Sequence, residues 1–595
     1  MSQTIPLFIS PCRNGCPIKR PIQRHNILIH YLAQGIKGKL LEDKALLPVF
    51  DEIFHINPLF GVCGYVCGLC EKYCNRAQID SNVHIRFIER FIFDWYRDKV
   101  INGALPAYRP IKPGRRIEKR IAIVGGGPAG ISAAFFLAKD GYRVSLFEAR
   151  SRLGGALRFI PSFRLPDDIL NFAIDQAISP LGIEMHLNVR PSISSLKKEY
   201  DAVLIATGTH LPRPVPPFAQ GFKEVENAID ILAAISEGRL DEKKYLDKKV
   251  IVIGGSGVAI DAARSLRRYG AIVSLACLES KDRTSKDGIL ANREDELGGL
   301  EEGVTFYYSR GLQDIKKEQG KLRLIFSRCT SVYDLKDDQK IFNPQFDFSD
   351  NITLDTDYVV FGIGQLPDKN YLQDLYSEDG KLNVDPHTFQ VANQNIFMAG
   401  DVFKVGYASQ AISAGKEAAA SIKKYLQDST LLPEDKSKYY ILLKPVPYKK
   451  EILEKRAEQK PECLSVEKRL YSFALEQAGF SLDQLIEETG RCLHCGGCEN
   501  CKSCITLGFN VELRKAYVLA EKCNGCGFCV NACPVGAITI EGYNSDWPKQ
   551  VAQVDTVRCR GCGMCQAACP THACLLAGYE SYRLKEQISQ ALRDN

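Results

Sequence analysis

The chain has neither an excess of charge of one sign nor a long apolar run. Its 77 Lys and Arg stand against 71 Asp and Glu, a formal charge of +6 over 595 residues, and the basic residues are scattered. That distribution excludes the electrostatic footprint of a nucleic-acid or membrane-surface protein. No apolar stretch approaches the ~18 residues of a membrane span. The first residues lack the basic-then-apolar order of a secretion signal. A cytoplasmic chain with no membrane insertion is expected. It is too long for one hydrophobic core and should divide into roughly three to five units.

Cysteine, by contrast, is abundant. Of 23, all but Cys277, Cys329, Cys463 and Cys574 fall in close-spaced groups, the distribution of metal ligands. Without a secretion signal a disulfide framework is disfavoured. The four isolated thiols are expected to be packing residues. Near the C-terminus, Cys523, Cys526, Cys529 and Cys533 precede Pro534, and Cys559, Cys562, Cys565 and Cys569 precede Pro570. Each group is the C-x2-C-x2-C-x3-C-P run of bacterial ferredoxins. There the first three thiolates hold one 4Fe-4S cube and the fourth crosses to the other. Just upstream, Cys492, Cys495, Cys498, Cys501 and Cys504 recur every third residue. Five thiolates imply a metal, but the spacing fits a further iron–sulfur centre or a structural zinc equally.

The N-terminal segment carries Cys12, Cys16, Cys63, Cys67, Cys70 and Cys74. Six thiols hold one 4Fe-4S cluster comfortably, and two only with non-cysteine ligands. The helical pattern that follows places Glu89 on the apolar stripe of Ile85, Ile88, Ile92 and Trp95. An inward carboxylate needs either a metal or a cation partner such as Arg20 or Arg86.

Organisation centres on Lys119–Glu148, where an apolar strand, a glycine turn, a helix and a second strand follow in order. Gly125, Gly127 and Gly130 fit G-x-G-x-x-G, with Pro128 and Ala129 opening the amphipathic helix and Glu148 closing the second strand. The first glycine makes the turn, the second admits a pyrophosphate and the third lets helix pack on strand; the acid holds a ribose hydroxyl. Gly154-Gly155 and Thr207-Gly208, at a buried strand's end, allow close approach of the same cofactor. A second unit, Lys248–Glu279, has the turn Gly254-Gly255-Ser256-Gly257-Val258, with Ser256 replacing the middle glycine. Glu279 ends its second strand and favours a free ribose 2′-hydroxyl, hence NAD over NADP, although Lys281 and Arg283 stand close by. Gly362 and Gly364, and then Gly400-Asp401 before a small-residue helix from Ala408, are two more cofactor-type turns. One nucleotide domain inserted into another would give this order.

Together these motifs name a family. The N-terminal cysteines, VGGGPAG, Gly154-Gly155 with FRLP, ATG, IGGSGVAID, IGQLPD and AGDV resemble, over residues 10–425, the small beta-type subunit of glutamate synthase. Its relatives include the large subunit of the bifurcating NADH-dependent ferredoxin:NADP oxidoreductase and the flavin half of dihydropyrimidine dehydrogenase. The resemblance implies FAD in the first site and NAD(H), or NADP(H), in the second. It also implies a 4Fe-4S cluster on Cys16, Cys67 and Cys70, with Glu89 at the family's fourth-ligand position. Cys12 and Cys74 match half of the family's second cluster, whose two upstream cysteines are missing here. NADPH-using relatives carry two arginines where this chain has Leu278-Glu279.

The expected fold is α/β: two nested Rossmann-like domains, an N-terminal helical iron–sulfur domain and a C-terminal bacterial-ferredoxin-like domain. The boundaries expected are an iron–sulfur domain over 1–115, an FAD domain over 116–245 and 346–428, and an NAD(P) domain over 246–345. A linker over 429–485, the five-cysteine segment 486–512, the ferredoxin module 513–580 and a tail 581–595 complete the chain. The expected function is that of an NAD(P)H oxidoreductase subunit passing electrons between NAD(H), FAD and ferredoxin-type clusters. Its partners would be other electron-transfer subunits of a complex, which could bifurcate electrons, and ferredoxin. No protein group is expected to act as acid or base, because hydride transfer between stacked rings needs none. Alternatives are a glutamate synthase small subunit feeding a glutaminase-bearing partner, and a non-enzymatic wiring subunit whose nucleotide sites have decayed.

Overall fold

The computed structural model describes residues 7–108, 116–336, 339–376, 382–392, 394–428, 440–442, 455–493, 495, 515–534, 536–541, 550–555, 559 and 561–576. The N-terminal part is helical: α1 (Pro11–Gly15), α2 (Ile22–Lys37), α3 (Leu47–Ile56), α4 (Phe60–Val66) and α5 (Ile85–Ile101). Its core is aromatic and aliphatic and runs without a break into the first dinucleotide domain, so Phe54 packs edge-on against Phe135. The stripe on α5 is buried as the 3.6-residue period requires, and Glu89 is buried with it.

The first dinucleotide domain is a parallel sheet fed by β1 (Ile117–Val124), helix α6 (Pro128–Lys139), β2 (Tyr142–Glu148), β3 (Glu184–Leu187) and β4 (Ala202–Ile205). After a long excursion the chain returns as β10 (Ile396–Met398), beside β4, and helix α8 (Ala408–Asp428). The spatial order is β10-β4-β1-β2-β3, and the register sets Val124 opposite both Phe147 and Ile205. Their carboxyl ends therefore open on one crevice, where ligands bind in such sheets. Contrary to the amphipathic reading, α6 is buried on almost every side, since α8 covers the face turned away from the sheet.

The excursion is a second parallel sheet of β5 (Val225–Asn227), β6 (Lys249–Ile253), β7 (Ile272–Ala276), β8 (Thr305–Tyr307) and β9 (Tyr358–Phe361), in the order β8-β7-β6-β9-β5, with α7 (Gly257–Arg268) after β6. A three-stranded antiparallel sheet, Arg310–Thr356, packs beside it. The expected boundaries at 245/246 and 345/346 are corrected here. β5 and β9, assigned by sequence to the FAD domain, hydrogen-bond inside the inserted sheet, and β9 is its fourth strand beside β6.

Residues 455–493, expected for most of their length to be a tether or a surface-wrapping strap, are a strap with buried anchors. Glu476 pairs with Arg264 and Arg268 of the inserted domain, and Arg264 is also held by Glu302 at 2.6 Å. Further on, α9 (Leu482–Gly490), begun by a capping box at Ser481 and Gln484, packs on α2. Arg491, 1% exposed, donates to Glu488 (2.6 Å), Asp80 (3.0 Å) and the Ser81 carbonyl (2.7 Å). The strap thus closes back onto the N-terminal helices.

Candidate functional site

A cavity of about 1080 Å³, its open mouth included, lies at the carboxyl ends of β1, β2 and β4. Gly125, Gly127, Pro128, Ala129, Glu148, Gly155, Thr207, Gly208, Gly400 and Asp401 all line it; Gly130, Gly154 and Ala408 stand outside its lining. The turn is built for close approach. Gly125 has φ +110°, and a Cβ there would lie 2.3 Å from the Ala206 carbonyl oxygen; one on Gly130 would lie 1.9 Å from that of Gly125. Glu148 is pinned at the strand end, accepting from the Gly126 and Arg150 amides at 2.7 and 2.8 Å. Asp401 accepts from the Gly406 amide at 3.1 Å, and burial pushes its carboxyl up to about 6. Glycine turn, helix N-terminus and strand-end acid together fit an adenine dinucleotide. Arg150, Arg190, His210 and Tyr371 also line this cavity and carry no motif; four separate segments bring them there.

The second turn repeats the first. Gly254 has φ +130°, and a Cβ on it would lie 2.5 Å from the Gly362 carbonyl oxygen. Gly255, Ser256, Gly257 and Val258 carry the chain into α7, while Gly362 and Gly364 follow β9. Ser256 has φ −82°, so glycine is not required there; its hydroxyl caps α7 by accepting from the Ala259 amide at 3.3 Å. The departure from the fingerprint is therefore a helix cap and no sign of decay. Glu279 lies beyond β7 with its carboxylate over this turn, where a Cβ on Gly255 would come within 2.6 Å of it. Burial raises its pKa. Arg283, the residue most able to attract a 2′-phosphate, donates instead to Glu296 (2.9 Å) and the Ala291 carbonyl (2.8 Å).

Cysteines gather in four places. Cys523, Cys526, Cys529 and Cys569 line one cavity, and Cys533, Cys559, Cys562 and Cys565 another, which is the crossed arrangement of the ferredoxin run. A third is lined by Cys16, Cys63, Cys67, Cys70, Arg20 and Glu89. Arg20 donates to Glu89 at 3.1 Å, so both readings of this carboxylate meet at one place: it faces the thiols and has a cation partner. Burial, against the pull of Arg20, pushes Glu89 up to about 7. Cys63 was absent from the ligands expected here, yet its thiol is in this wall and takes a contact from Asn57 at 3.4 Å. The fourth cavity unites Cys12 and Cys74 with Cys492 and Cys495. The strap thus delivers Cys492 and Cys495, the first two thiols of the five-cysteine segment, to the N-terminal domain. Cys498, Cys501 and Cys504 lie outside the described residues. Among the described residues, no group of three or more His, Cys, Asp or Glu side chains is arranged to hold a single metal ion. Each ligand sulfur of a cube binds a different iron, so wider spacing is what a cluster requires. Of the isolated cysteines, Cys277, Cys329 and Cys574 are buried as expected, whereas Cys463 is exposed on the strap.

The flavin-type and iron–sulfur cavities are neighbours. Helix α8 turns Ser409 to the Cys67 cavity and Ala411 to the dinucleotide cavity, and Cys67 Sγ donates to Ser409 Oγ at 3.3 Å.

Four family models match in chain order. They are dihydropyrimidine dehydrogenase domain II, 4Fe-4S cluster (8–101), the NAD(P)-binding Rossmann-like domain (123–175), pyridine nucleotide-disulphide oxidoreductase (175–421) and the 4Fe-4S dicluster domain (522–573). With FAD and NAD(P) domains between 4Fe-4S domains at both ends, the protein is an NAD(P)H-dependent iron–sulfur flavoprotein oxidoreductase. The NADP(+)-dependent formate dehydrogenase subunit beta of Moorella thermoacetica is 30% identical over 527 residues, 82% of this chain and 71% of the relative. The chain belongs to that family, the pyridine nucleotide-disulphide oxidoreductases with 4Fe-4S domains. It is also 28% identical to the NAD-dependent dihydropyrimidine dehydrogenase subunit PreT homolog of Salmonella typhi, covering 71% of this chain and 92% of that one. The NADPH-Fe(3+) oxidoreductase subunit beta of Geobacter sulfurreducens shares 32% over 51% of this chain and 43% of its own. Among the described residues no single helix is long and apolar enough to cross a membrane.

Proposed function

We propose that the chain is the NADH-oxidising subunit of an electron-transfer complex. It binds NADH at the Gly254–Val258 turn and FAD at the Gly125–Gly130 turn, and it hands electrons singly to 4Fe-4S clusters. The observation that carries this reading is α8, whose first turn walls both the dinucleotide cavity, through Ala411, and the Cys67 cavity, through Ser409. A flavin converts a two-electron donor into one-electron steps that clusters accept.

The chain's own residues bind, orient and insulate. Gly125, Gly127, Gly154, Gly155, Thr207, Gly208, Gly400 and Asp401 shape the first site, and Glu148 holds its ribose. Gly255, Gly257, Gly362 and Gly364 shape the second. There Glu279, with Arg283 engaged elsewhere, selects the free 2′-hydroxyl of NADH. Near the flavin, Cys16, Cys67 and Cys70 are cluster ligands, and Glu89 or Cys63 supplies the fourth. The C-terminal eight cysteines, Cys523–Cys533 and Cys559–Cys569, hold the two cubes that serve as outlet to ferredoxin or a partner subunit. Relatives are named as beta and PreT subunits, which supports a role within a larger assembly. Electron bifurcation fits the flavin's position between NADH and a cluster. Clusters on free thiols suit a reducing, cytoplasmic setting.

The test is steady-state reduction of a low-potential dye and of ferredoxin by NADH, in the native chain and in Cys559→Ser. Dye reduction at the flavin should persist in the variant while ferredoxin reduction falls at least tenfold. Equal loss of both, or of neither, would contradict the assigned outlet.

A further inference from the structure

We propose that Cys12 and Cys74, from the first domain, and Cys492 and Cys495, from the strap, together hold one further 4Fe-4S cluster. The proposal rests on the iron–sulfur reading of the chain and extends it to a site that neither end contains by itself. The resemblance noted above leaves Cys12 and Cys74 as half a site, with the two upstream partners missing. The fold supplies two thiols from the far end of the sequence, in a C-x2-C spacing of the kind repeated within both ferredoxin runs.

Four ligand thiols in one cavity also occur in both C-terminal cavities, one of which Cys574 lines as a fifth cysteine. The sulfurs are also dressed alike. Val83 N donates to Cys74 Sγ and Asn75 Nδ2 to Cys495 Sγ, both at 3.5 Å. In the ferredoxin module Ala537 N donates to Cys533 Sγ at 3.2 Å and Gly561 N to Cys559 Sγ at 3.4 Å. Such N–H···S contacts stabilise thiolate and sulfide charge in clusters. The same wall holds Asn26, 1% exposed, whose amide nitrogen and oxygen both lack a hydrogen-bond partner among the described residues. A buried amide left unpaired costs free energy unless something in the cavity meets it. The sulfides of a cube would accept from its Nδ2.

Position gives the site a role. Cys12 lies in the first turn of the short helix α1 and Cys16 follows it, while Cys70 and Cys74 bracket a single 3-10 turn. Each short segment therefore sends one cysteine to this cavity and one to the cavity beside the flavin. A cluster here would accept one electron from its neighbour and pass that same electron on toward the C-terminal module. The buried Arg491 network holds the strap in place for it.

The test compares the native full-length chain with Cys492→Ser/Cys495→Ser and with Cys12→Ser, all purified anaerobically. Both variants should lose about four irons and the same low-temperature EPR component after dithionite reduction. Combining them should remove nothing further, and FAD content should hold. Thiol alkylation mapped by mass spectrometry on the native protein gives a readout that needs no variant. Cys12, Cys74, Cys492 and Cys495 should become reactive together, and only after iron is chelated. The proposal falls if the strap variant retains all iron, if zinc is lost in place of iron, or if Cys492 and Cys495 alkylate before chelation. A native chain with no iron–sulfur absorption at all would instead overturn the electron-transfer reading beneath it.

Discussion

Replacing Arg491 with alanine should release the end of the strap from the N-terminal helices. The guanidinium is 1% exposed and bonds Glu488, itself 0% exposed, together with Asp80 and Ser81. Truncation leaves a buried carboxylate at Glu488 without its cation, although Asp80 keeps Arg76. Removing one partner of a buried ion pair costs about 3–5 kcal/mol. At about 1.4 kcal/mol per tenfold, that shifts the docked–undocked equilibrium by between roughly a hundredfold and several thousandfold. Hydrogen exchange of the amides in α9 reads this directly. Their protection should fall by at least a hundredfold, or to the rate of a free strap if that is reached first. Exchange in β1 and α6 should not change, because these elements share no bond with Arg491. Arg491→Lys keeps the charge but loses the planar fork and should fall between the two. Protection within threefold of the native value in the alanine variant would refute the anchoring argument.

Three further outcomes follow from the sites. Gly125→Ala places a Cβ 2.3 Å from a backbone carbonyl at a φ of +110°, so neither partner can yield cheaply. FAD content should drop at least tenfold while the iron of the C-terminal module is retained, as flavin absorbance and iron assay would show. Glu279→Arg removes the acid over the second turn and adds a cation there; the NADPH-to-NADH ratio of kcat/KM should rise at least tenfold, and an unchanged ratio would sink the assignment. Burial lifts Asp401 from its ordinary 3.8 to about 6, so between those values the folded state holds a proton that the unfolded state has lost. Stability should therefore fall as pH rises from about 4 to 6, and Asp401→Asn should flatten that slope in thermal melts of flavin-free protein.

Legibility followed locality. The turns at Gly125 and Gly254 were readable because a strand, a φ-positive glycine, a helix and a strand-end acid all fall within some thirty residues. The ferredoxin runs were readable for the same reason, and even their crossing follows from spacing. The union of Cys12 and Cys74 with Cys492 and Cys495 was not, since C-x2-C names a ligand pair and says nothing of where a strap will carry it. The anchors of that strap, Glu476 in the charged linker and Arg491 beside the five-cysteine segment, look ordinary in sequence; only their ion pairs show what they do. β5 and β9 were misassigned because a short apolar run has no mark of which of two nested sheets it joins. Cys63 was counted among the six N-terminal thiols but left out of the ligand set the resemblance implied, although its thiol shares the wall with Cys67. Ser256 was legible as a departure, but its reason, a cap on α7, needed the backbone angle.

The central claim is that NADH electrons enter at the flavin and leave through the clusters. Anaerobic titration of the purified chain with NADH, and separately with NADPH, tests it most directly when flavin bleaching, low-temperature EPR and iron content are recorded together. The account expects bleaching by NADH at lower concentration than by NADPH, cluster signals growing as the flavin is reduced, and about sixteen irons in four cubes. A flavin that bleaches with no cluster signal, or that responds to neither nucleotide, would contradict it.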